Sequence, residues 1–543
     1  MIRLESRLQP KLAALPVALV IYLVLAISLA ATKAPWCDEG WFANPSYNLA
    51  FRGHMGSNVL EPAGHFLNAY LSGIQTRTYI VTPNFLVGLA AWYKLVGFSL
   101  FTMRLYSILW GALGLVALYY IARRLLPDPR IARLAVLLCS IDFMLLWISA
   151  DGRMEAMAGA LALCSLASYL HFRESRYGWA MFASQVFGAL AVFTHPNALI
   201  GLLTVPVLAV MFDRSRLRPV HACLAAIPYV LCATPWILYI LQSPADFQAQ
   251  FLANAAGRGS ARYKIFFAPW KAVIDEFKRH VAIYLVSTLF VGRMNPWMVF
   301  IPFLYLPANV WLVSSWRRLG VTERMFAVCA VTVVLGLTFL NGFKAATYLE
   351  YVIPFYEVTF AAFLIHLYSK RGRDAKAGAV MLGVAFAVTQ LATTYQHVRA
   401  REYQREYLPA VEEIERYRAE GRTIVGTTSL GFGLGFHGFQ DDWRLGLYTG
   451  LRPDILVLDR SYRDFARRFE DEEPKVLTQY CRLLSSEYRL TSVHGAFWIF
   501  ERRPPRAIDT SEVYLQEKRK KADYLFHLII EGKYADPLRR SSL

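Results

Sequence analysis

Charge is scarce in this 543-residue sequence. Asp, Glu, Lys and Arg make up 18% of it against 56% for the apolar set, and the mean hydropathy is +0.32. Soluble globular chains carry about 25% charged residues, which excludes an array of three or four soluble domains. A disordered chain would hold fewer apolar residues, and a collagen-like chain would need periodic glycine. Cysteine is sparse too. Cys37, Cys139, Cys164, Cys223, Cys232, Cys329 and Cys481 are odd in number, and no CxxC occurs. Most sit inside apolar runs, where cysteine behaves as a small hydrophobe, so there is neither a disulfide framework nor a zinc pattern. No internal repeat is visible. Gly431, Gly433, Gly435 and Gly438 do not have the G-x-G-x-x-G spacing of a dinucleotide loop. What remains is a polytopic membrane protein.

The charge that is present is mostly positive, +18 net from 58 basic and 40 acidic residues. Residues 1–395 hold 33 basic and 17 acidic side chains, whereas residues 396–543 hold 25 and 23. The excess therefore belongs to the apolar part, where short basic loops set topology, and nucleic acid is not an expected partner. Arg3, Arg7 and Lys11 precede an apolar run from Leu12 to about Thr32. It is too long for a signal-peptide core and reads as a retained first span. Further spans are expected near 101–122, 131–149, 155–171, 179–194, 198–212, 221–241, 296–314, 325–341, 349–368 and 377–395, about eleven in all.

Basic clusters fall in alternate loops: Arg123/Arg124/Arg130/Arg133, Arg173/Arg176, Arg214/Arg216/Arg218, Arg317/Arg318/Arg324 and Lys370/Arg371/Arg373/Lys376. All five share one side, which the positive-inside rule makes cytoplasmic, together with the N-terminus. Segments 33–100, 150–154, 195–197, 242–295 and 342–348 then face outward, as does everything after 396. Tyr79–Gly97 is apolar but broken by Pro83 and Gly88, and Val281–Val291 is short. Both are read as interfacial helices; taken as crossings they would give thirteen spans and invert the middle of the chain. Beyond 396 the composition becomes that of a small α/β unit. A charged amphipathic helix is expected over 399–420, strands at 423–426, 454–459 and 496–501, and helices near 460–487. The expected fold is mainly α: a transmembrane helical bundle over 1–395, with 33–100 as its first outer loop, and an extracytoplasmic α/β domain over 396–543.

The outward segments carry unusual polar residues. Asp38 and Glu39 follow the first span, flanked by Trp36, Trp41 and Phe42. Aromatics of this kind sit at headgroup depth, where an acid is costly unless paired or used. The plainer reading is a solvated loop pair. Asp151, Arg153 and Glu155 open the fourth span; Asp151 as helix cap and Glu155 in the first turn would serve the helix dipole, and Arg153 would pair with an acid or hold an anion. His195 lies in a His-Pro-Asn turn, as apt for a turn as for catalysis. Lys344 is the one basic residue of its loop, either an anion partner or an interfacial snorkelling lysine. Carboxylates and isolated cations converging beside interfacial helices suit a reaction on a lipid phosphate. A carboxylate can deprotonate an acceptor hydroxyl, and cations can offset charge on a leaving phosphate.

These residues, taken in order, resemble the GT-C membrane glycosyltransferases, specifically glycosyltransferase family 39, related to protein O-mannosyltransferases and lipid A aminoarabinose transferases. The carrying features are Asp38-Glu39, Gly97-Phe98-Ser99 with Arg104-Leu105, Gly152-Arg153-Met154-Glu155, Thr194-His195-Pro196, and Lys344 followed by Tyr348 and Pro354. They span roughly 1–395. The resemblance implies a polyprenyl-phosphate-linked sugar as donor and inverting transfer to a hydroxyl acceptor on protein, lipid or glycan, outside the cytoplasm at a bacterial inner membrane. It puts the base at Asp38, with Glu39 as its neighbour. Relatives often have Asp at the second acidic position, where this chain has Glu155, so Asp151 and Glu155 stay open there. Lys344 and Tyr348 match positions near the donor phosphate, and Asp151, Arg153 and His195 complete the substrate-binding set. No certain cofactor is implied, with a divalent cation the open option. The competing reading is a lipid-linked-sugar flippase or solute transporter, for which Asp142 inside the third span is the relevant acid.

Overall fold

The computed structural model describes residues 14–65, 71–253, 255, 267–285, 296–342, 344–472 and 474–504. Each apolar segment expected to span falls on a helix, beginning with Ala14–Thr32, Leu100–Leu125 and Met154–Phe172. Among the described residues seven helices are long and apolar enough to cross a membrane, and the bent pair Pro129–Ile141 and Phe143–Ser149 makes an eighth. Pro196–Phe212 and Ile353–Ser369 are shorter apolar helices. Several helices show wide apolar faces to the outside, among them Val20 and Val24, Val230 and Leu231, and Val384 and Val388. Exposed apolar faces on this scale belong against lipid. The chain is a multi-pass membrane protein.

The 60° bend in the third span has a definite cause. Asp142 stops the first helix, and its carboxylate accepts from the Leu145 amide at 2.9 Å to cap the second. Gln390, from the Arg373–Ala400 helix, accepts from the Phe143 amide at 2.9 Å and donates to Asp142 at 2.8 Å. Backbone groups released by the bend are thus re-satisfied inside the bundle, as a lipid environment requires.

Tyr79–Gly97 forms a helix only over Pro83–Val96. Its 14 residues rise about 21 Å, short of the ~30 Å hydrocarbon core. Thr82 and Asn84 anchor it to the carbonyls of Thr194 and Leu190. Of Val281–Val291, residues 281–285 end the helix Pro269–Leu285, and the remainder lies outside the described residues.

The C-terminal sheet has the order β1-β2-β4-β3, with β1 Ile424–Val425, β2 Ile455–Leu458, β3 Tyr488–His494 and β4 Phe497–Arg502. β1 and β2 are parallel; β4 runs antiparallel to both β2 and β3. β3 was absent from the sequence reading. Only Tyr488 in it is fully buried, so it lacks an apolar alternation, and it forms as the hairpin partner of β4 across Gly495 (φ +56°). Alternation within β2 divides two cores. Ile455 and Val457 join the core continuous with the bundle, while Leu456 and Leu458 pack with Tyr462 and Tyr480 from the helices behind.

Candidate functional site

The site grows from the helix Cys37–Arg52, which begins just past the first span. Its first turn carries Asp38 and Glu39, where the positive end of the helix dipole favours carboxylates. The two side chains part company. Glu39 turns inward and is fully buried against Arg104, which donates from Nε at 2.7 Å and Nη2 at 2.8 Å. The rest of that guanidinium is spent on the carbonyls of Ala30, Lys33 and Ala34. Burial pushes the Glu39 carboxyl up, and the Arg104 charge opposes it. Glu39, expected as the neighbour of the base that orients the acceptor or tunes the charge, is by position a clamp joining the Cys37–Arg52 helix to the Leu100–Leu125 helix.

Asp38 turns the other way and keeps 35% of its side chain exposed. Arg153 Nη1 donates to its Oδ2 at 2.7 Å. The same guanidinium donates to Glu155 Oε2 from Nε at 3.1 Å, with a second bond from Nη2 to Oε1. The Trp36 ring lies 4.9 Å from the guanidinium carbon, and Ser107 holds the Arg153 carbonyl at 3.0 Å. Asp38, Arg153 and Glu155 therefore form one charge-assisted chain, exposed only at the Asp38 end.

Asp151 is not the cap expected of it. The helix starts at Met154, with Arg153 in the cap position. Asp151 sits in the preceding turn, buried in an ion pair with Lys33, whose ammonium lies 3.8 Å from the Trp147 ring centroid. That turn depends on Gly152. Its φ is +57°, and a Cβ there would stand 3.0 Å from Glu39 Oε1.

His195 closes the next turn, its Nδ1 accepting from the Asn197 amide at 3.0 Å. Its ring packs 5.4 Å from that of the buried Tyr348, and it lies within electrostatic reach of Glu155. Glu350, unremarked in the sequence, is buried within reach of both Arg153 and Glu155, and its Oε1 has no hydrogen-bond partner. Two small pockets share Gly159, Leu163 and Glu350. They lie one helical turn past Glu155, between spans, and Asp38 lines neither.

Lys344 belongs to a second cluster. Its three protons go to Glu276 Oε2 at 3.0 Å, Thr338 O at 2.7 Å and Leu337 O at 3.2 Å. Arg279 grips the same Glu276 and donates to Asn341 Oδ1 at 2.9 Å; His280 reaches Tyr356 at 3.1 Å. Burial alone would raise the Glu276 carboxyl, but His280 and Arg279 outweigh it and bring it down to about 2. Burial lowers the Lys344 ammonium against the pull of Glu276. The lysine that looked isolated in sequence is thus counter-charged by a residue about seventy positions earlier. Arg279 and Glu276 were missed because an Arg and a Glu on a charged amphipathic helix give no signal of a site.

Among the described residues no group of three or more His, Cys, Asp or Glu side chains is arranged for a metal ion. Asp38 and Glu155, the carboxylates placed to share one, are joined by the Arg153 guanidinium.

A helical bundle of this plan, with its acids gathered at the end that carries an α/β unit, has the GT-C fold of membrane glycosyltransferases. The family described as dolichyl-phosphate-mannose-protein mannosyltransferase matches residues 82–239. Among solved structures, ArnT from Cupriavidus metallidurans bound to undecaprenyl phosphate is similar at a TM-score of 0.54 and 16% identity, over 90% of this chain and 97% of that one. The archaeal oligosaccharyltransferase AglB from Archaeoglobus fulgidus, in complex with an inhibitory peptide and a dolichol-phosphate, is similar at 0.52 and 11% identity, over 96% and 78%. No curated protein matches in sequence. The family-39-like resemblance read from the motifs and the fold found in space agree.

Proposed function

We propose that this chain is a GT-C glycosyltransferase that moves a sugar from a polyprenyl-phosphate-sugar donor to a hydroxyl acceptor, outside the cytoplasm. Asp38 is the general base. The observation that carries this reading is the state of the acids near the site: Glu39, Asp151 and Glu155 are buried in ion pairs and Glu350 is buried, while Asp38 alone keeps an exposed face. A phosphate leaves readily, so the chemistry left to the protein is removal of the acceptor proton as the hydroxyl attacks the anomeric carbon from the opposite face. Arg153 aims Asp38, and Glu155 fixes Arg153. The cationic pair Arg279 and Lys344 supplies a positive field for the donor phosphate. Glu276 is the resident anion there that a phosphate would displace from Lys344.

Sidedness is part of the proposal. The Met154–Phe172 helix puts about 27 Å of rise between Glu155 and the basic loop at its other end. That loop is tied to the next basic loop by Arg173 on Asp213. The site and the α/β unit thus share the end away from the basic clusters, the extracytoplasmic end by the positive-inside rule. The rival transporter reading leaned on Asp142, which is occupied in fixing the bend.

The test is chemical. A deletion strain should accumulate a polyprenyl-phosphate-linked sugar, detected by mass spectrometry of its lipids. That lipid, purified, should be consumed by the wild-type protein. Asp38→Asn should still bind it but transfer about 100-fold more slowly or worse. Transfer at the wild-type rate by Asp38→Asn would sink the assignment and bring the transporter reading forward.

A further inference from the structure

Parallel α/β units take their ligands in the crevice outside the carboxyl ends of their strands. Here β1 and β2 are the parallel pair, and the segments leaving them are 426–430 and 459–462. That crevice holds the first turn of the Cys37–Arg52 helix. Thr428 Oγ1 donates to the Cys37 carbonyl at 2.9 Å. A Cβ on Gly40 would lie 2.5 Å from the Thr428 carbonyl carbon and oxygen, so backbone meets backbone with no room between. The Cys37 thiol is buried there, within hydrogen-bonding reach of Ser461.

The gripping loop is itself fixed from behind. The Thr428 amide donates to Asp441 Oδ2 at 2.9 Å, and Thr427 Oγ1 donates to Asp459 Oδ2 at 2.8 Å. Asp459 Oδ1 in turn accepts the Tyr462 amide at 3.0 Å. Asp441 also joins the first loop through its backbone, donating to Val59 O at 2.8 Å and accepting from the Glu61 amide at 3.2 Å. Asn58 and Phe98 add a hydrogen bond to the Phe436 carbonyl and a stack on Phe432. Of these ties, the Thr428 bond to Cys37 and the Gly40 contact reach the turn that bears Asp38, and the others brace the gripping loop or join the unit to the rest of the first loop.

We propose that the C-terminal α/β unit completes the active site rather than standing beside it: its strand-end crevice grips the base-bearing turn, and Thr428 is the positioning residue that keeps Asp38 in register with Arg153. This rests on the reading of Asp38 as the base. Asp38 Oδ2 accepts from Arg153 of the bundle and its Oδ1 meets the Cys37 thiol of its own turn at 3.7 Å, so the direction of the carboxylate follows the turn it stands on. A hydroxyl on the neighbouring carbonyl fixes that turn without touching substrate. The same packing leaves the crevice no room for a nucleotide.

The experiment uses the full-length protein in detergent with Thr428→Val, Thr428→Ser and Gly40→Ala. N-ethylmaleimide labelling of Cys37, mapped by mass spectrometry, reports the grip. The donor purified from the deletion strain reports activity. Thr428→Val should label Cys37 several-fold faster and lower kcat about 10- to 100-fold, with KM for the donor unchanged within twofold. Thr428→Ser should restore both, and Gly40→Ala should reproduce the labelling. Wild-type kcat and a protected Cys37 in Thr428→Val would overturn the proposal. So would a Thr428→Ser variant as impaired as Thr428→Val. If Asp38→Asn transfers normally, the base assignment fails while the labelling still reports the grip, so the two failures are distinguishable.

Discussion

At the scale of single residues, four acids close together in space do different work because three cations divide them, Arg104 taking Glu39 alone. Glu155 shares Arg153 with Asp38, whereas Asp151 pairs with Lys33 on the other side of the turn. Glu155→Gln weakens the hold on Arg153 and should lower kcat at least tenfold with the folded protein intact. Asp151→Asn strands a buried lysine, and breaking such a pair costs about 3–5 kcal/mol. It should show first as a fall in melting temperature in detergent. Steady-state transfer and thermal melting on the two variants separate the roles. A Glu155→Gln protein that melts early yet transfers at full rate would reverse them.

At the scale of elements, turns and helix ends carry the site. The 150–153 turn needs a left-handed residue, and Gly152 supplies it with its Cα side facing Glu39. Gly152→Ala should cost about 1–2 kcal/mol from backbone conformation alone. It should also lower kcat, because Arg153 follows directly. Melting and kcat measured together check this. The helix Pro269–Leu285 offers a pH test. Its Glu276 is held near 2, below its ordinary 4.5. A depressed carboxyl contributes stability that is present above its unfolded pKa and lost as pH falls through the folded one. Wild-type melting temperature should therefore drop between about pH 4.5 and pH 2, and Glu276→Gln should flatten that part of the profile.

At the scale of the whole molecule, the prediction concerns sidedness. A reporter active only outside the cytoplasm should be silent when fused after Ser369, beside the Lys370–Lys376 cluster, and active when fused after Arg503, past β4. The opposite pattern would invert the molecule and put the site in the cytoplasm.

The sequence by itself determined the membrane class, the places of the apolar helices and the family-39-like pattern that includes Asp38, Arg153 and Glu155, but not the Cys37–Arg52 helix, which lies in what reads as an outer loop. Hydropathy, charge asymmetry and short-range motifs are local properties, and a hydrocarbon solvent enforces them strictly. Only the tertiary structure decided which carboxylate stays open. Asp38 and Glu39 are adjacent in sequence, and successive helical positions point about 100° apart. One met Arg104 and was buried, while the other met Arg153 and kept an exposed face. The partner of Lys344, the unpartnered oxygen of Glu350 and the grip of Thr428 on Cys37 were equally invisible. Each joins residues tens to hundreds of positions apart, and neither periodicity nor spacing encodes a meeting across that distance.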